Sequence, residues 1–357
     1  MRLAACALLL LAACAKPLPP GVESLTPDSS NLQSFFWSPL SRRLAYVEGR
    51  FPNRTYLVVS DRAANQRMRT RFKGFALGPS AALSRDGRRA LLDAGKIGPY
   101  ASRQPPVVRV VLYVDTDSGQ VLSEESVGPG GTMVLGHPAW SLGPVAAWNA
   151  KEGIAWKSFG QGATGGILHG PPAWSGPLLD EPYIIVADKS TESPRLTAYD
   201  LRDGRAVRDW RAALSILPLG LRRDGTALAA RWTPESARFL LEAYDPNTDR
   251  REVLLESDGE IETAIETDRG LYVIAKDTKH RNDTGKDFLA PRVLLALEAS
   301  GRRWSVPWTS HRGLLLGSDP HDGRLIFAVT DQDRPGAWAL EPSPAVLASA
   351  ARFIDGK

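Results

Sequence analysis

Five histidines, His137, His169, His280, His311 and His321, are the first side chains to weigh for metal binding or proton transfer. No two have the close spacing at which a pair of imidazoles shares one metal, so each reads as a turn or surface residue. Asp115-Thr116-Asp117-Ser118-Gly119 and Asp245-Pro246-Asn247-Thr248-Asp249 carry part of the acidic spacing of a calcium loop. Neither completes it with the central Gly and terminal Glu, and both fall where hairpin turns are needed. Gly78-Pro79-Ser80-Ala81-Ala82 lacks the last Gly of a nucleophile elbow. Acidic residues are plentiful, but paired carboxylates act according to their separation in space, which spacing along the chain does not fix. No metal or cofactor is expected.

The start of the chain carries a different chemistry. Arg2 precedes an uncharged run from Leu3 to Ala13, and Cys14 follows. A basic start, an apolar core and a small-residue exit make a secretory signal. The run is far shorter than the roughly 20 residues a helix needs to cross a bilayer. Leu11-Ala12-Ala13-Cys14 resembles the lipobox of bacterial lipoproteins, which implies removal of residues 1–13 and acylation of Cys14. Of the two cysteines, Cys6 leaves with the signal, so the mature chain has no partner for an intrachain disulfide. Ala15 in place of Asp leans toward an outer-membrane anchor facing the periplasm. Residues 14–32, with four prolines, three serines and Asp28, read as a tether.

Net charge is +4, from 44 basic and 40 acidic residues, with no concentrated basic stripe. Nucleic acid is therefore not an expected partner. At 43% hydrophobic residues the chain has ample material for a core.

Internal similarity is the strongest structural signal. An apolar strand, a tight polar turn and a second apolar strand recur around Ser38-Pro39-Leu40-Ser41, Ser84-Arg85-Asp86-Gly87, Arg223-Asp224-Gly225 and His321-Asp322-Gly323. Asp-Gly supplies the positive backbone angles of a two-residue hairpin turn. Ser41, Asp86, Asp224 and Asp322 are separated by 45, 138 and 98 residues, each close to a multiple of about 46. Trp140-Ser141-Leu142-Gly143-Pro144, Trp174-Ser175-Gly176-Pro177 and Thr267-Asp268-Arg269-Gly270 supply the remaining turns, for a total of seven, with six or eight as alternatives. A second hairpin follows the first, as at 111–121, 196–207, 241–249 and 294–304. Two hairpins per unit make a four-stranded antiparallel blade, so the fold class is all-β, a β-propeller.

These turns resemble those of the TolB-like and WD40-like propeller repeats of bacterial exported proteins, over residues 33–346. The resemblance implies architecture and leaves function open. Residues 347–357 read as a tail, and a strand near 22–33 is expected to close the ring with the last blade. Trp37, Trp140 and Trp174 are read as equivalent positions that pack blades together.

In such a blade the first and third turns share one face, and the longer second connections gather on the other. Those connections, 48–55, 93–108, 188–195, 231–238, 276–292 and 330–336, carry Arg50, Arg54, Lys96, Tyr100, Arg103, Arg231, Lys279, His280, Arg281 and Arg334. Loops on a rigid scaffold often carry recognition. The expected function is a membrane-anchored, noncatalytic propeller that binds a protein or envelope-polymer partner through this face. The alternative is a hydrolase or lyase acting on an envelope polymer or exported small molecule, with acidic residues near the central channel.

Overall fold

A computed structural model describes residues 17–27, 32–49, 55–84, 86–97, 108–127, 133–136, 144–160, 164–169, 174–178, 183–188, 195–211, 216–222, 224, 226–245, 248, 250–277, 291–308, 313–330 and 335–354. The chain forms seven four-stranded antiparallel sheets arranged as the blades of a propeller. They cover 32–70, 75–127, 133–169, 174–211, 216–257, 261–308 and 313–340, and Val22–Ser24 supplies the outer strand of the seventh. Closure by an N-terminal strand is as expected. That strand lies inside the stretch read as tether, because three backbone pairings to Trp338, Ala339 and Leu340 satisfy groups that a free tether would leave to water.

The first strand of each blade lines the axis, where neighbouring blades meet strand to strand. Six of these seven inner strands contain a bulge, at Gln33/Phe35, Leu77/Ala81, Ser175/Leu178, Pro218/Gly220, Ile261/Thr263 and Leu315/Gly317. A bulge adds local twist, which strands converging on an axis need, and it is one of the few places in a sheet that accepts Pro. This corrects one assignment. Trp174-Ser175-Gly176-Pro177 lies within the inner strand of blade four, and its turn lies at 179–182, outside the described residues. Trp174 begins its strand opposite Ala187, whereas Trp37 stands near the end of its strand opposite Leu44, so the two are not equivalent. Trp37 does join blades, donating from Nε1 to Ser318 O at 3.1 Å. Trp140 lies outside the described residues.

The second strands are buried on both faces. Leu325–Val329 is apolar throughout; Ile326 and Ala328 meet Leu44, Tyr46 and Val58 of blade one, while Phe327 and Val329 face blade six. Alternate residues thus serve alternate interfaces, as the period of two requires. Each fully buried Leu, Val or Phe contributes about 1.5–3 kcal/mol, and these layers repeat around the ring. The outermost strands have a free edge and carry charge or proline on it, as in Gln66–Thr70 with Arg67 and Arg69, Val121–Val127 with Glu124 and Glu125, and Arg303–Trp308 with Pro307. Such residues discourage pairing with another chain's strand.

Residues 347–354, read as tail, are helical. Helix α1 (Pro344–Ile354) lays Leu347, Ala350, Ala351 and Ile354 against the outer strand of blade six and the edge of blade seven. Ser343 Oγ accepts from Val346 N, and Arg352 stands in the last turn near the negative end of the helix dipole. Gly21 (φ 77°) lies so close to the helix that a Cβ there would sit 2.9 Å from Val346 Cγ2.

Candidate binding face

The strand order sets two unlike faces. One holds the first and third turns, several of which are short and hydrogen-bonded within themselves. In the turn 84–88 Asp86 Oδ1 accepts from Arg88 N at 3.0 Å, and Gly87 takes the positive φ of 66°. Asp115, Asp200, Asp203, Asp224, Asp319 and Asp322 accept from nearby backbone N–H groups in the same way. The carboxylate of Asp115 is used by the amides of Asp117 and Ser118 and by Arg89, so 115–119 is a hairpin turn, as read.

Blade-to-blade contacts on this face are ionic and polar. Arg43 donates to Gly87 O at 2.7 Å, Arg269 to Asp322 O at 3.0 Å, and Arg222 holds Glu266 through Nε and Nη2. Arg222, Asp224, Glu266 and Thr267 line an open cleft of about 210 Å³ between blades five and six.

The largest cluster lies where the ring closes. Asp319 Oδ2, with its side chain at 0% exposure, accepts from Arg42 at 2.7 and 2.9 Å and from Arg62 Nε at 3.0 Å. Arg62 also reaches Glu23 at 2.5 Å and Asp322 at 3.3 Å, and Arg324 holds the other oxygen of Glu23 at 3.0 Å. Three arginines and three carboxylates from both ends of the chain balance in charge. Burial alone would raise the Asp319 pKa; the hydrogen bonds and charge of Arg42, with those of Arg62 and the His321 amide, outweigh it and hold the carboxyl below its usual range. Arg42 takes a left-handed φ of 52°, a strained conformation for a non-glycine residue that this anchoring offsets.

The opposite face holds the second connections, 49–55, 97–107, 151–152, 189–194, 234–237, 277–291 and 330–335. Five of the seven are longer than the tight turns 39–42 and 268–269 of the other face. Their bases are braced by ion pairs. Arg109 grips Asp93 through Nε at 3.0 Å and Nη2 at 2.9 Å, and Arg231 grips Glu242 at 3.0 and 2.6 Å. Arg292 holds Glu262 at 3.0 and 2.8 Å, Lys276 pairs with Glu260, and Arg69 pairs with Glu48 while its guanidinium lies 3.7 Å from the Tyr56 ring centre. At the root of 278–290, Asp277 N donates to Pro291 O at 2.6 Å. The pKa values of Arg109 and Arg231 are raised, first through the hydrogen bonds they donate to Asp93 and Glu242 respectively. Tyr46, buried near Glu48, is pushed up to about 12, chiefly by burial.

Two expected binding residues are described, and both are engaged. Lys96 pairs with Glu124, and Arg231 belongs to its blade's scaffold through Glu242. Arg50, Arg54, Tyr100, Arg103, Lys279, His280, Arg281, Arg334 and Cys14 lie outside the described residues. The buried carboxylates that brace this face were missed, although each interrupts an apolar run: Leu92-Asp93-Ala94 and Leu241-Glu242-Ala243. An acid in a run of core residues signals a buried ion pair. Among the described residues, Asp61, Asp115, Asp200, Asp224 and Asp319 are the carboxyls with a resolved pKa shift, and all five are lowered. No group of three metal-binding side chains converges among the described residues.

No family model and no curated protein matches the sequence. The structure is similar to an oligogalacturonate lyase in complex with manganese, at TM-score 0.60 and 14% identity over 91% of this chain and 94% of that one. It is similar to the Swd1 β-propeller domain of Myceliophteria thermophila Cps50, at TM-score 0.57 and 14% identity over 88% and 98%. A prolyl endopeptidase matches at TM-score 0.58 and 12% identity, over 90% of this chain and 51% of its own. At these identities the likeness is one of fold, that of a WD40-like β-propeller.

Proposed function

We propose that this chain is a lipid-anchored, noncatalytic propeller of the bacterial envelope, set at the outer membrane on the periplasmic side. Its loop-bearing face binds a protein or envelope-polymer partner. The observation that carries this reading is the asymmetry of the faces, longer connections with ion pairs at their bases, two of them on the buried carboxylates of Asp93 and Glu242, against tight turns joined to one another. A rigid frame that holds variable loops limits the entropy lost when they engage a partner. Some propellers of this fold belong to protein assemblies, among them the mitotic checkpoint complex.

The test is a crosslinked pull-down of the lipidated protein from its native envelope, beside a variant with Lys279, His280 and Arg281 changed to Ala. Arg231 is left intact, because its partner Glu242 is buried. Loss of a specific partner in the folded variant supports the proposal; a partner held equally by both refutes the assignment of these residues. Incorporation of labelled fatty acid into wild type and its absence from Cys14→Ser tests the anchor.

The likeness to an oligogalacturonate lyase over nearly the whole chain favours the second reading, a propeller enzyme acting on an envelope polymer or exported small molecule. Incubation with oligogalacturonate and manganese, read as new absorbance from an unsaturated sugar, tests it.

A further inference from the structure

The direction of the closing strand fixes where the chain leaves the ring. Val22 pairs with Leu340, which also pairs with Leu325, the first residue after the turn 319–324. The start of the closing strand therefore lies on the face of first and third turns. Glu23 confirms the level, reaching Arg324 beside one turn and Arg62 in another. Residues 17–21 emerge there, folded back on themselves by Val22 N donating to Pro19 O at 3.1 Å and tied to the C-terminal segment by Glu341 N donating to Gly21 O at 3.0 Å. Cys14 is eight residues from Val22. Because 17–21 are held there, only the three residues from Cys14 to Pro17 add reach, at most about 10–11 Å.

The loop-bearing face lies behind this exit by at least one strand. The five residues of Leu325–Val329 alone span about 16 Å at about 3.3 Å each. To press that face on a membrane, the span from Cys14 to Pro17 would have to run back along the rim farther than its own extended length. On the exit side no such detour is needed. Exposed large apolar side chains on that side include Leu18 at 42% in the emerging segment and Leu40 at 51% at the tip of the first turn of blade one, against Val108 at 39% at the edge of the loop-bearing face. Blade one adjoins the closing strand through Arg62 and Glu23, which puts Leu40 in the sector where the tether leaves.

We infer that the face of tight turns is a membrane-apposed surface. It rests on the bilayer that holds the anchor, with Leu18 and Leu40 at the headgroup boundary, and the loop-bearing face points away from that bilayer. This rests on the acylation of Cys14 proposed above. Each exposed leucine adds weak, reversible binding of its own, enough to orient a body already held by lipid. The tethered protein thus presents its recognition loops outward.

The experiment uses the full lipidated protein in vesicles of phosphatidylethanolamine and phosphatidylglycerol bearing a nitroxide on the headgroup. Leu40→Cys places a thiol on the tight-turn face, and Lys151→Cys places one in the exposed turn 151–152 of the loop-bearing face. Each is labelled with a fluorescent maleimide; Cys14 is blocked by its own acylation. Loss of most of the fluorescence at position 40, with the signal at 151 retained, is the expected result. Quenching at 151, or equal quenching at both positions, overturns the orientation while leaving the anchor in place. Wild-type protein that takes up the label has a free Cys14, and both the anchor and the orientation then fall.

Discussion

Replacing Asp319 by Asn removes one charge from the closure cluster and leaves its shape. The amide keeps an oxygen for His321 N, 3.0 Å away, while Arg42 and Arg62 lose their shared anion. Breaking a buried ion pair by removing one partner costs about 3–5 kcal/mol. Two features reduce the loss: Arg62 keeps Glu23 and Asp322, and the Arg42 side chain is 34% exposed and regains water. The expected destabilisation is about 2–4 kcal/mol, and Arg42→Ala costs about 1 kcal/mol because it removes a partly hydrated partner. Urea unfolding at pH 7, followed by tryptophan fluorescence, reads both, with the slope checked for constancy so that the midpoints report stability. The pH dependence has a fixed sign. The folded pKa of Asp319 lies below its unfolded value, so its contribution is present above the ordinary aspartate range and is lost as pH falls through the folded value. Wild type and Asp319→Asn therefore converge in acid, below about pH 4. A difference under about 0.5 kcal/mol at pH 7, or one that persists unchanged in acid, would refute the account, leaving closure to the backbone pairing of Val22–Ser24.

Other perturbations have equally definite expectations. Asp93→Ala leaves Arg109 without its bidentate partner on the adjoining strand of blade two and should lower stability by about 2–4 kcal/mol in the same urea assay. Arg231→Ala strands Glu242, 5% exposed, and should lower the melting temperature of the isolated protein whether or not a partner binds there. Gly87→Ala puts a Cβ 2.5 Å from Arg43 Cδ at a φ of 66° and should cost about 1–3 kcal/mol by thermal melting. Leu347→Ala empties the fully buried contact beneath helix α1 and should cost about 2–4 kcal/mol, with faster proteolysis of the C-terminal segment as a second readout.

Much of the architecture was legible in the sequence because its turns are chemically restricted. Asp86-Gly87 and Asp322-Gly323 demand positive φ at Gly, and their recurrence counts blades without reference to any core residue. The inner strands were harder to read. Proline ordinarily argues against a strand, and Gly176-Pro177 was taken for a turn; the pairing of Ser175 with Val186 and of Leu178 with Ile184 shows a bulge that accommodates both residues. The helix escaped because Ala-rich residues 345–351 follow the last repeat, and only the exposed edge of blade six gives their apolar side something to cover. At the candidate site, Arg231 was read as available because it borders a loop. Glu242, its partner, lies eleven residues away on the adjoining strand, a juxtaposition that spacing alone does not reveal. The closure cluster was less accessible still, since Arg42 and Asp319 stand 277 residues apart.

That separation bears on how the molecule acquires its fold. Val22–Ser24 precedes every other strand in the sequence, yet it pairs with Gly336–Leu340, which follows every other strand. A pairing of such long range is slow, since the whole intervening polypeptide must be gathered before the contact forms. Blades one to six can form in succession, yet the ring stays open until Gly336–Leu340 has formed and taken Val22–Ser24 on its outer edge. Until those two strands meet, the outer edge of Gly336–Leu340 is bare, and its pairing with Val22–Ser24 is what keeps it from the strands of other chains.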